Sequence, residues 1–571
     1  MDIEPVNQRV ASIALSQIAS EMQEVQPYKT IIRGEPPIQD QPLNYKKSTD
    51  NQRCRTIIHA LTRANEDGVR PDPSEQNIPS FNGFQASLHN KQSATKAYFH
   101  KSYDQPPNKT VMRDIMNKQL EIIEEKKMPF AYICGDLPVY SNMDEIKGEN
   151  RLLYKPIYPW IAPFHLQCVM IVCIYLRHKG SEFEEVLVQA GVIAAGSVTQ
   201  ALMGKHFRRG LRCIMLFYEA LICKFLKENP LNLNEEMREK LRILRDTSMD
   251  RETREAAHDA LLDDEELRQL VLSISEKMSA IGDMGDYWRN FFDMADALFQ
   301  SVHSVHANDF DEYVNSMGAM MPWILGYDRT RYARHLPGFW VMLQNLPDDH
   351  YQFLKKNFAL SITGNPYSAM AWDMWIETTM NKGSKLKSGW LSILKNEKQL
   401  LVHSRNVNNI SRIRAVYNES ARKKPKQWKH TESQPKRMKL DEQCVQDIVS
   451  CLDEYDSYPF DEGNTELRTL QSGVPASDEL VQDFKTVLAD SQKKLEAYLD
   501  ERVYSKEKSI HARISRMKRK TFATSATIKD ATNKKVKIAE MEQHALKGVI
   551  DLVQKSDAIC LKDILQHRIT T

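Results

Sequence analysis

Between residues 163 and 228 the chain is largely apolar at helical period, broken only by His178-Lys179-Gly180, by Gly196 and by the basic run GKHFRRG at 204–210. Helices that are hydrophobic around much of their circumference have to lie inside a core. This stretch therefore commits the chain to packed helices. Its most apolar run, Leu166 to Leu176, is far shorter than the ~20 residues a membrane-spanning helix needs, so no membrane partner is expected. Aromatic-rich text of the same period continues the core in DYWRNFFDMADALFQSV (286–302), DEYVNSMGAMMPWIL (311–325) and RYARHLPGFWVMLQNL (331–346). Residues 234–269 keep Leu241 and Leu244 on one side amid dense charge, the pattern of exposed helices.

One stretch departs from the helical period. An amphipathic helix predicted from Val111 to Lys126 leads into the β-like FAYIC at 130–134. Gly135-Asp136 and a further amphipathic segment follow, which together make an α/β unit. The expected fold is mainly α: a multidomain helical protein with a small α/β element near 95–160. Its divisions are an N-terminal helix and irregular arm (1–94), a helical core with the α/β element (95–420), a basic linker (421–441) and a C-terminal helical region with a basic segment (442–571). The arm's helix is read from Val10, Ile13, Ala14, Ile18 and Met22. The C-terminal one is read over 477–503 from Leu480, Phe484, Val487, Leu488, Leu495 and Leu499, with Ser477 as N-cap.

Charge is nearly balanced, 78 Lys and Arg against 76 Asp and Glu, so nucleic-acid binding has to come from local patches. Cys134, Cys168, Cys173, Cys213 and Cys223 sit in apolar runs as reduced, buried side chains. Without an apolar leader they suggest an intracellular protein. His165, Cys168 and Cys173 lack the paired C-x-x-C spacing of structural zinc. His303 and His306 lack an HExxH glutamate. Both groups are read as core. No Walker loop, GxGxxG, GxSxG or kinase signature occurs, which argues against the commonest nucleotide and acyl-transfer chemistries.

What is left is carboxylate chemistry. In AWDMWIETTMNK (371–382), Asp373, Glu377 and Asn381 stand four apart and so share one side of a helix, among residues that read as buried. Asp136 follows a hydrophobic strand, the usual position for a functional group in an open α/β sheet. Converged, Asp136, Asp373 and Glu377 would coordinate Mg²⁺ for phosphoryl chemistry; the competing reading makes them helix caps or ion-pair partners. Phosphate backbone contacts are expected from Lys205, Arg208 and Arg209 in GKHFRRG and from Arg516, Lys518, Arg519 and Lys520 in RISRMKRK (513–520). Lys423, Lys424 and Lys426, with Lys436, Arg437 and Lys439, form a cluster of the sort that an import receptor reads as extended peptide; the competing reading is a solvated linker.

Seven stretches resemble an uncharacterised, multicopy, mobile-element-like protein family of animal and fungal genomes. They are FNGFQ (81–85), FAYICGDLPVYSNMDEI (130–146), APFHLQCVMI (162–171), VLVQAGVIAAGSVTQALMGKHFRRGLRCIMLFYEAL (186–221), MPWILGYDRTRYARHLPGFWVMLQNLP (321–347), NPYSAMAWDMWIETTMNK (365–382) and DEQCVQDIVSCLDEYDSYPF (441–460). The resemblance implies a domain of unknown function in a mobile-DNA context. In it Asp136 matches a strand-end acid, Tyr332-Ala333-Arg334 a Tyr-Ala-Arg segment, and Asp373, Glu377 and Asn381 a helical Asp-x-x-x-Glu-x-x-x-Asn. That order of acids is similar to the metal-binding order of RNase H-like transposases, by analogy. Two departures stand out: Phe81 occupies the place of an upstream acid, and KGSKLKSGW keeps only part of a Ser-Lys and paired-Gly turn.

The expectation is thus a nuclear, mobile-element-derived, nucleic-acid-associated protein, transposase-like, with catalysis left open and Mg²⁺ required only if it is catalytic. DNA and an import receptor are the expected partners. The alternative is a non-enzymatic interaction or scaffold protein, nuclear or cytoplasmic, that forms a homo-oligomer through its C-terminal helices.

Overall fold

A computed structural model describes residues 45–66, 68–94, 108–378, 416–417, 420, 430–505, 507–509, 512–517 and 519–525. The expected N-terminal helix, read from Val10 to Met22, falls outside these residues. So do Asn381, Lys423, Lys424, Lys426 and Lys518.

The chain is mainly helical with one small sheet. Helix α1 (Tyr45–Arg63) and the short α2 (Phe81–Leu88) precede α3 (Lys109–Lys126), whose N-cap Asn108 accepts the Val111 N–H. Strand β1 (Ala131–Gly135) runs parallel to β2 (Ile157–Ile161), with Ala131 opposite Ile157 and Gly135 opposite Ile161. Parallel neighbours need a crossover, and α4 (Leu137–Glu149) supplies it.

The two-residue strand period divides the sheet's faces. Ala131 and Ile133 join Val111, Met112, Ile115, Val139 and Met143 in a small core under α3 and α4. Tyr132, Cys134, Tyr158 and Trp160 point the other way, into the main helical core. Among the described residues the sheet stops at two strands. Strand β2 was not legible in the sequence: Pro159 interrupts it, and a proline lacks the N–H that a ladder uses.

After β2 come α5 (Pro163–His178), α6 (Phe183–Gln189), α7 (Ala195–Leu202) and α8 (Phe207–Glu228). The charged helices α9 (Glu235–Arg245), α10 (Arg251–Leu262) and α11 (Glu265–Ala280) follow, as their charge pattern predicts. The centre is built on α12 (Asp283–Ala307) and α13 (Phe310–Gly326), buried over most of their length. Around them lie α14 (Thr330–Gln344), α15 (Asp348–Asn357) and the single-turn α16 (Trp372–Ile376).

Two expected divisions look different in three dimensions. Helix α1 is part of the core rather than an arm, with Cys54, Ile57 and Ile58 buried. The basic linker does not reach 441, because Pro435–Asp453 forms helix α17 with the proline in its first turn, where its missing N–H costs nothing. Lys436, Arg437 and Lys439 are therefore helical rather than extended.

Helix α18 (Asp478–Tyr498) has the expected Ser477 cap. Its apolar stripe (Leu480, Phe484, Val487, Leu495) is buried in the chain's own core against α13, so it is not open for the oligomer contact expected of it. No helix among the described residues is long and apolar enough to cross a membrane.

Candidate functional site: the carboxyl ends of the two strands

Both strands end at the same edge, where the Ala162 N–H donates to the Gly135 carbonyl over 3.1 Å. Gly135 is required there, because a Cβ would stand 2.2 Å from a Val139 methyl group in the turn that follows. Asp136 comes next and caps α4, accepting the Val139 N–H at 3.2 Å. Helix α5 starts with Ala162-Pro163, and Ala162 has no side chain that can cap it.

Asp373 performs that cap from more than two hundred residues away. Its Oδ1 accepts the Phe164 N–H at 3.2 Å, and its Oδ2 accepts the His165 N–H at 3.1 Å and pairs with His165 Nδ1 at 2.8 Å. Only 5% of Asp373 is exposed. A carboxylate at a helix N-terminus also meets the positive end of the helix dipole. The question raised by a carboxylate in apolar, Trp-rich text therefore has a structural answer: backbone donors and a histidine satisfy it. Trp372, in the same turn, packs on Trp160 with ring centroids 5.8 Å apart and donates its Nε1–H to Asn357.

The three predicted acids do share a neighbourhood. Burial alone would lower the His165 pKa, but the Asp373 bond and charge, reinforced by Asp136 and Glu377, raise it above its ordinary value. Burial pushes the Cys134 and Cys168 thiols up, Cys168 to about 12, and nearby carboxylates add to both shifts. Neither is a nucleophile at neutral pH. Tyr332 of α14 is raised by burial and then by Asp373 and Asp136.

This is a proximity of charges rather than a ligand set. Among the described residues no three His, Cys, Asp or Glu side chains group so as to hold a metal ion, and both Asp373 oxygens already accept N–H groups. His165 and His303, expected as core, prove to be partnered: His303 meets the Tyr367 hydroxyl at 3.0 Å.

The basic run lies against the same helix end. Phe207 packs on Phe164 with ring centroids 5.1 Å apart. Gly204, at φ +75, turns so close to α5 that a Cβ there would meet the Cys168 carbonyl at 3.1 Å. Lys205, Arg208 and Arg209 are exposed, and they flank the end of α5 that carries Phe164 and His165.

The other expected phosphate-binding residues divide. Arg516 is exposed. Arg519 is not available: its side chain is 8% exposed, and it pairs with Asp483 at 3.3 Å and Asp490 at 3.4 Å. Lys520 pairs with Glu479 at 2.6 Å. Helix α18 thus supplies acids that fold this basic tail back onto the molecule. Arg437 pairs with Asp441 at 2.9 Å, while Lys436 and Lys439 are exposed.

A family model described as a domain of unknown function, DUF8702, matches residues 80–566. No curated protein and no solved structure matches the chain.

Proposed function

The chain belongs to the family that this domain of unknown function defines, and from that premise we propose that it is a nucleic-acid-associated protein. It binds the phosphate backbone of duplex DNA along Lys205, Arg208 and Arg209. One observation supports the reading. Three exposed cations are held on a fixed turn beside the capped end of α5, by the Phe207–Phe164 contact and the close approach of Gly204. Cations on a rigid support meet phosphates with less loss of side-chain freedom than a flexible basic tail does.

In this reading Asp136 and Asp373 are positioning residues. They cap α4 and α5 and so fix the platform that carries the basic turn. The mobile-element ancestry is its setting, and nuclear entry through an import receptor is part of it, with Lys423, Lys424 and Lys426 as the recognised residues. The RNase H-like core is not, because the described sheet has two strands. The scaffold alternative loses its oligomer surface to the burial of α18.

The test is duplex binding across a salt series. Changing Lys205, Arg208 and Arg209 together to alanine weakens binding and lowers the log–log salt slope by roughly 0.9 for each phosphate that is no longer neutralised. An unchanged slope would falsify the reading. Mg²⁺-dependent nicking that Asp136→Ala and Glu377→Ala abolish, with the fold intact, would replace it with the nuclease reading.

A further inference from the structure

A cavity of about 430 Å³ opens beside the first two turns of α4, where Ser141 and Asn142 line it, and Arg331, Arg334 and His335 of α14 and Arg513 of the C-terminal segment complete its wall. Three formal positive charges face one concave surface, and among the described residues that line it none is a carboxylate. Like charges gathered on one wall repel each other unless an anion sits between them. Arg331 and Arg334 stand three apart and share a face of α14. The Arg334 Nε–H is buried without an acceptor, a donor that folding alone leaves costly.

The arginines are also held in place. The Tyr498 hydroxyl donates to the Arg334 carbonyl over 2.5 Å. Arg502, itself buried, donates to the carbonyls of Ala512 at 2.7 Å and Arg513 at 3.2 Å. Helix α18 and the turn after it thereby set both walls.

We propose that this cavity binds a phosphate monoester. Guanidinium forks match the oxygens of phosphate in parallel pairs of hydrogen bonds, and a dianion neutralises three cations better than a singly charged carboxylate does. The volume lies in the range of small-ligand pockets and admits a group of nucleotide size. The two sources of that chemistry are a free nucleoside monophosphate and the 5′-phosphate end of a nucleic-acid strand. The proposal uses none of the residues of the Lys205–Arg209 turn, so either can fail alone.

The experiment is calorimetric titration of the full chain with a nucleoside 5′-monophosphate, and with a short single strand carrying either a 5′-phosphate or a 5′-hydroxyl. Saturable binding of at least one monoester is expected, weakened roughly tenfold in Arg331→Ala and in Arg513→Ala. Part of it returns in Arg331→Lys, and the thermal midpoint of the unliganded protein stays unchanged because both side chains are exposed. Binding of the free nucleotide without a gain from the strand's phosphate assigns the pocket to nucleotides; the reverse assigns it to strand ends. No binding of either monoester, or affinities that both alanine variants leave intact, overturns the proposal.

Discussion

Asp373 shows how one side chain decides between two chemistries. A carboxylate in apolar text is costly unless it is partnered, and the sequence left both a metal and a protein partner open, with the protein partner the commoner case. The partner is the start of α5, whose own capping position is an alanine. Asp373→Ala leaves the N–H groups of Phe164 and His165 and the His165 ring without their acceptor. We expect a loss of about 2 kcal/mol, at the upper end for a missing cap, read from the urea midpoint. Asp373→Asn keeps one oxygen for a backbone N–H and recovers part of it. If both variants equal the wild type, the cap contributes nothing and the acid is free for another role. No sequence pattern pairs residue 373 with residue 164, because capping from a distant segment leaves no local signature. Asp136 was legible in both position and cap, since its cap is local.

At the level of elements, what was readable follows from period and punctuation. Helix α3 and strand β1 stand where an amphipathic stripe and a short apolar β-like run put them, and Ser477 caps α18 as expected. Strand β2 was hidden by Pro159. Only the start of helix α17, from Pro435 to about 441, was hidden by basic charge that reads as linker; its remainder, with Cys444, Val445 and Ile448 buried, falls in the expected C-terminal helical region.

That helix is anchored by charge. Glu442 and Glu219 of α8 share Arg63 of α1 and Arg70, with Arg63 Nη2 to Glu442 at 2.8 Å and Arg70 Nη2 to Glu219 at 2.7 Å. Burial would raise the Glu219 pKa, but the two arginines bring it down to about 2. Glu442→Ala strands buried guanidinium charge and should cost roughly 3–5 kcal/mol, checked by denaturant unfolding. A loss below 1 kcal/mol would show that water reaches the network. The helical setting of Lys436 and Lys439 has a separate consequence. In a fluorescent fusion, Lys423, Lys424 and Lys426 changed to alanine should abolish nuclear accumulation, whereas Lys436→Ala with Lys439→Ala should leave it. The opposite pattern would mean that the receptor unwinds α17.

For the whole molecule, buried histidines set the response to acid. His59 is 1% exposed. Burial lowers its pKa to about 4, with Arg63 and Arg70 adding to that, while the Glu219 charge and the bond to the Pro79 carbonyl oppose it. Burial also brings His306 to about 4 against its bond to the Ala369 carbonyl, with His430 and Arg208 assisting. His303, His258 and His89 are lowered as well, each chiefly by burial.

The sign follows from where the protons bind. Below the ordinary histidine value of 6.5 the unfolded chain takes up protons that the folded chain refuses, so stability falls with pH until the folded groups titrate near pH 4. A shift of that size is worth about 3 kcal/mol for a fully buried group such as His59. Asp296 acts in the opposite sense, held up to about 6 by burial against its bond to Arg53, and it offsets roughly one of the histidines. The balance is destabilising, so the urea midpoint should drop steeply from about pH 6.5 to about pH 4. His306→Gln keeps a donor for the Ala369 carbonyl and removes one titrating group, so its curve should be shallower over that interval and match the wild type near pH 8. A variant that parallels the wild type throughout would mean that His306 gains a proton in the folded state as readily as in the unfolded one.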